Sequence, residues 1–126
     1  MAVANLGTNG VAYEDKDSIV IQSVLETHVG GVALDVTGFT PEVINAGHVI
    51  VKDGTTGDLK PLAISSGAYA ALTSGDSYYG IAMHSVKTSR PITAVLVRGS
   101  VLEGALPYAV TSAIKTALPH IRFISE

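Results

Sequence analysis

Gly75-Asp76-Ser77, with His84 further along, supplies the residue types of acyl-transfer chemistry: a serine nucleophile, a histidine base and a carboxylate to orient it. The spacing does not suit that use. If Ser77 and His84 share one strand, the odd number of steps between them sends their side chains to opposite faces. No Gly-x-Ser-x-Gly elbow surrounds the serine either. A turn carrying a solvated Asp and Ser accounts for these residues, and a small hydrolase ranks last among the readings. The histidines His28, His48, His84 and His120 are scattered, with none of the His-x-His or His-x3-His spacings that put two imidazoles on one metal. Glu14, Asp15 and Asp17 offer oxygen ligands for a hard cation, but a charge run of this kind is usually solvated. Asp53-Gly54-Thr55-Thr56-Gly57-Asp58 lacks the Gly-Lys-Ser/Thr ending and the helix of a phosphate-binding loop, so its glycines serve a turn. With no cysteine there is no thiolate chemistry and no disulfide. The sequence nominates no catalytic residue, no cofactor and no metal, and it predicts a protein that is not an enzyme.

The elements that would position these residues are short and β-type. Ser18 to Glu26 is β-branched, with Ile19, Ile21 and Leu25 on one face at period two, which predicts a half-buried strand. Gly30-Gly31 turns the chain into a second strand, Val32 to Val36. Gly38 and Thr40-Pro41 end it before a helical turn at Glu42 to Ala46. His48 to Lys52 and Leu59 to Ile64 flank the Asp53–Asp58 turn as a hairpin. Ser65 to Ser77, rich in Ser, Gly and Ala, reads as a loop. Tyr78 to Val86 and Ile92 to Val97 carry the strongest strand signals, and the second is apolar almost throughout, as for a central strand covered on both faces. Gly99 permits a bend or bulge before Ser100 to Glu103. Pro107 fits the first helical position. Val110, Ile114, Ala117 and Leu118 then form one stripe, Pro119 stops the helix, and Ile121 to Ile124 alternates as a closing strand. The predicted fold is mainly β, a small barrel or sandwich-like domain over residues 18–126 with one C-terminal amphipathic helix. Residues 1–17 are too polar to fold alone and read as a flexible arm, in which Leu6, Val11 and Tyr13 are spaced apolar anchors that can order on a partner.

Composition narrows the partner. Of 126 residues, 47% are apolar and only 15% charged, against about 25% charged in an average soluble domain. Gly, Ser, Thr and Ala must cover much of the surface, which suits a protein packed against others. A net charge of -3 with eight scattered basic residues excludes the Lys/Arg face that nucleic acid requires. Met1 to Asn5 lacks a basic stretch leading into an apolar run, and no window reaches the apolar length of a bilayer span, so no signal peptide and no membrane insertion are predicted. Low surface charge also predicts self-association, as a homotrimer or alternatively a homodimer.

Ala46-Gly47-His48-Val49-Ile50 with its following Asp-Gly turn, Tyr79-Gly80-Ile81-Ala82, the run from Ala94 to Val101, and Leu106-Pro107 to Leu118 together resemble the head decoration proteins of tailed bacteriophages. Gly31 to Phe39 looks like the amino-terminal half of phage head-fibre proteins. This resemblance implies a β-rich domain with one helix, commonly trimeric. Such a domain sits on the outer surface of the virion capsid and cements neighbouring copies of the major capsid protein. On that reading Leu6, Val11 and Tyr13 are capsid-binding residues. The chain departs from short decoration proteins by the additional strand pair between Ser18 and Val36. An alternative is a head fibre that adheres to host-surface glycans, for which Tyr69, Tyr78 and Tyr79 are the available aromatic cluster.

Overall fold

A computed structural model describes residues 20–28, 31–39 and 41–124. Its strands in chain order are β1 (Ile21–Thr27), β2 (Val32–Ala33), β3 (Val43–Ile44), β4 (Val49–Lys52), β5 (Leu59–Pro61), β6 (Ile64–Ser65), β7 (Ala68–Tyr69), β8 (Ser77–Ala82), β9 (Val86–Lys87), β10 (Ile92–Thr93), β11 (Val95–Leu102) and β12 (Ile121–Ile124). A 3₁₀ turn (Glu103–Ala105) and helix α1 (Ser112–Ala117) lie between the last two strands. The fold is mainly β with one α-helix among the described residues, as its β-branched runs and single C-terminal apolar stripe predict. The principal sheet runs β1-β11-β8-β4-β5, with β12 added against β11. Its end strands β1 and β5 do not meet, so the sheet is open and the barrel form of the prediction does not occur.

β11 is the axis of the molecule. On one edge it pairs with β1; on the other, Val95 and Leu96 pair antiparallel with β8 while Gly99–Leu102 runs parallel to β12. A parallel partner needs a crossover connection, which the 3₁₀ turn and α1 supply. Alternation then feeds two cores. Val49, Val51, Ile81, Leu96 and Val101 join Ile114, Leu118 and Ile121 on one face. Ile50, Ala82 and Val95 join Leu34, Ile44 and Leu59 on the other. Both faces are covered at Val49–Val51 of β4, Gly80–Ala82 of β8 and Val95–Leu96 of β11, and there the sequence carries no polar side chain. The second face is roofed by the short ribbons β2–β10 and β3–β9.

Gly80 lies where β8 passes close against the backbone of β11. A Cβ there would run into the Leu96 carbonyl oxygen and reach Val95 Cγ1 at 2.9 Å. Gly80→Ala is therefore expected to lower stability by roughly 1–3 kcal/mol through forced separation of β8 and β11. A urea melt checks it, and an unchanged midpoint would mean that the strands separate freely.

Several expectations from the sequence need correction. β1 is not half-buried at period two: Leu25 is 68% exposed and the strand is open along Gln22–Glu26. Among the described residues it is an edge strand, and register shifts between Ile21 and Ser23 and between Val24 and Glu26 break its alternation. Val43–Ile44 is a strand paired with Val86–Lys87 rather than part of a helical turn, because a distant partner overrides local preference. For the same reason the Tyr78 run ends at Ala82, and the second strand shortens to Val32–Ala33. Helix α1 starts at its cap Thr111, whose Oγ1 accepts the Ile114 N–H at 3.3 Å, leaving Pro107 outside it. Val110, Ile114 and Leu118 of the apolar stripe are buried, whereas Ala117 is exposed. Leu6, Val11, Tyr13, Ile19 and the whole 1–17 arm lie outside the described residues.

Candidate functional site

The Ser65–Ser77 stretch predicted as a loop contains a tight hairpin instead. Ile64 pairs with Tyr69 and Ser65 with Ala68 across Ser66 (φ 53°) and Gly67 (φ 77°). Two consecutive positive φ angles are the signature of a type I′ turn, which matches the twist of its flanking strands. The Ser-Gly pair was the available signal, hidden in a Ser/Gly/Ala-rich stretch. Its consequence is that Tyr69 folds inward: the hydroxyl oxygen accepts the Val49 N–H at 3.0 Å, and burial pushes the phenol pKa up. Tyr78 and Tyr79 lie elsewhere, in a shallow cleft with Val97, Leu118, Pro119 and His120, where the Tyr79 hydroxyl meets His28 Nδ1 at 2.6 Å. The three tyrosines do not form one aromatic surface.

Tyr69 instead helps enclose His48, which is 1% exposed. Phe39, Tyr69 and Tyr108 stand edge-on to the imidazole at centroid distances of 5.4, 5.2 and 5.7 Å. His48 Nε2–H donates to the Leu62 carbonyl at 2.8 Å. Desolvation lowers its pKa to about 4 despite that bond, so the ring is neutral at pH 7. A neutral imidazole with one satisfied donor and three aromatic walls joins β4 to β7 and to the segments carrying Phe39 and Tyr108. Its role is structural.

A cluster of formal charges at one end of the sheet forms a clasp. Lys60 Nζ lies 3.2 Å from Asp53 Oδ2 and 3.1 Å from Asp76 Oδ2, and the Gly54 N–H donates to Asp76 Oδ1 at 3.1 Å. This ties the β4–β5 turn to the loop before β8. The hydrogen bond to Asp76 is the main cause of a raised Lys60 pKa. The Thr56 and Thr55 N–H groups, donating to Asp53, hold its carboxyl down at about 2. Asp76 is thereby committed to Lys60 and Gly54 rather than to a histidine, Ser77 is exposed at the start of β8, and His84 lies past its end. Among the described residues no group of three or more His, Asp or Glu side chains could hold a metal.

Beside the clasp opens a cleft of about 150 Å³, with Phe39, Pro41, Leu62 and Leu72 on its apolar sides and Asp35, Thr37 and Lys60 among its polar lining. The Asp35-x-Thr37 turn was its one local sequence signal; the partners come from distant segments. A second surface is the β1 edge, where Val24 is 48% and Leu25 68% exposed. Comparison with known protein families, with curated proteins and with solved structures finds no match for this chain.

Proposed function

We propose that the protein is a virion structural component, a head decoration protein of a tailed phage. On this reading it binds the outer capsid surface as a trimer and cements major capsid subunits. The observation that carries this is β1: among the described residues an edge strand, in a chain with 15% charged residues, that leaves both Val24 and Leu25 exposed. Natural edge strands are normally guarded by charge, proline or bulges. β1 has the irregular register but only Glu26 as a charge. The irregularity disfavours addition of a straight strand, so contact is made through the protruding apolar side chains. Burying a low-charge surface loses little hydration, and many copies on a lattice turn modest contacts into firm attachment.

Cosedimentation with capsids assembled from the major capsid protein of the same genome tests this reading, with sedimentation equilibrium reporting the oligomer. Wild type should bind saturably. Leu25→Lys, at an exposed position where surface changes stay within about 0.5 kcal/mol of neutral, should fold normally and weaken binding about tenfold or more, equivalent to about 1.4 kcal/mol. Absence of wild-type binding, or equal binding by the variant, would refute the assignment of this surface.

A further inference from the structure

We propose that the cleft where Asp35, Thr37 and Phe39 face Lys60 and Leu72 binds a neutral sugar ring. It would do so independently of attachment to a capsid.

Size comes first. At about 150 Å³ the cleft is smaller than the roughly 300–1,000 Å³ of sites for drug-sized ligands, which leaves room for a single ring. Its lining is divided. Phe39, Pro41, Leu62 and Leu72 offer an apolar surface to C–H groups, and the Phe39 ring is held edge-on by His48 at an interplanar angle of 86°. The polar groups are placed to read hydroxyls. Asp35 Oδ1 accepts both the Thr37 N–H (3.0 Å) and the Thr37 hydroxyl (2.7 Å), which orients the carboxylate and leaves Oδ2 as an acceptor. Lys60 spends two ammonium protons on Asp53 and Asp76; an ammonium has three.

Charge then selects the class. Asp35, Asp53 and Asp76 outnumber Lys60, so an anionic ligand would meet net repulsion. A cationic ligand finds Asp53 and Asp76 already committed, and only Asp35 remains, itself within the field of Lys60. A neutral ring with hydroxyls on its rim and an apolar face matches one oriented acceptor, one spare donor and an aromatic wall. A pyranose has that chemistry. The tyrosines singled out for glycan contact from the sequence lie outside this cleft.

Saturation-transfer NMR on the full-length protein with glucose, galactose and N-acetylglucosamine, and N-acetylneuraminic acid as the anionic comparison, tests the proposal. The expected result is transfer to the ring hydrogens of at least one neutral sugar. Amide shift changes should centre on Asp35, Thr37, Phe39, Lys60 and Leu72, with no transfer to the acidic sugar. Asp35→Ala and the cleft-filling Ala71→Trp, both at exposed positions, should each raise Kd at least tenfold while the urea midpoint stays in place. No transfer to any neutral sugar at tens of millimolar, binding of the acidic sugar alone, or shifts centred on Tyr78 and Tyr79 would each overturn it. Because this measurement uses no capsids, its failure is separable from failure of the decoration reading.

Discussion

Ile114→Asp should leave the protein unfolded or lower its stability by roughly 4 kcal/mol or more, a large share of the about 5–15 kcal/mol that holds a domain together. Ile114 is 1% exposed and is the one fully buried residue of α1, set against Val49, Val51, Ile81 and Leu96. Two losses combine there. Removing the apolar volume alone, as in Ile114→Ala, should cost about 2–5 kcal/mol. The aspartate adds a buried carboxyl with no partner, which must either stay charged in an apolar site or take up a proton. The control is Ser112→Asp in the same short helix. Ser112 is exposed in the first turn, where a negative charge meets the positive end of the helix dipole, so stability should stay within about 0.5 kcal/mol of wild type. Urea melts of the three variants compare them directly. Equal losses for Ile114→Asp and Ser112→Asp would mean that α1 is not part of the core.

Acid should weaken the fold through His48. The unfolded ring has the ordinary pKa of 6.5, whereas burial lowers it to about 4 in the folded state. Between those values the unfolded chain binds more protons, so stability rises with pH. The contribution is fully present above about pH 6.5, is lost as pH falls towards 4, and changes no further below that. The gap between the folded and unfolded pKa values makes this window worth about 3 kcal/mol. The Leu62 carbonyl that accepts the Nε2–H offsets only part of the desolvation, and the rings packed on the imidazole, Phe39, Tyr69 and Tyr108, bring no negative charge to balance the proton. Urea midpoints at intervals from pH 7.5 to 4 for wild type and His48→Gln check this. The gap between the two should narrow as the pH falls, because only wild type has the imidazole to charge. Parallel curves would show that other groups govern acid stability.

Much of the fold was legible because it rests on short-range patterns. The apolar run of Ile92 to Val97 read correctly as extended chain, but not as one central strand: it divides at Ala94 between β10 and β11, Ile92 is 50% exposed, and only Val95 and Leu96 at the start of β11 have the both-faced burial that an unbroken apolar run suggests. The helix near the C-terminus was readable from the spacing of Val110, Ile114, Ala117 and Leu118, although it proved shorter than that stripe, leaving Val110 before its cap and Ala117 exposed. The Asp53–Asp58 cluster between two apolar runs made the β4–β5 hairpin readable from turn chemistry alone. The absence of cysteine likewise excluded disulfides as a source of stability from the sequence alone.

What depended on distant partners was not legible. Val43–Ile44 became a strand because Val86–Lys87 came to lie beside it, and the Ser65–Ser77 stretch acquired a hairpin that turned Tyr69 from a surface candidate into a wall around His48. The Lys60 clasp joins residues of a turn, a strand and a separate loop, and the cleft beside it draws its lining from segments on either side. No local rule couples such residues, because their sequence separation carries no information about which strand edges are left to pair. The same is true of β1. Its residues pattern like those of a half-buried strand, and its place at the edge of the sheet, paired among the described residues with β11 alone, decided that Val24 and Leu25 would face solvent.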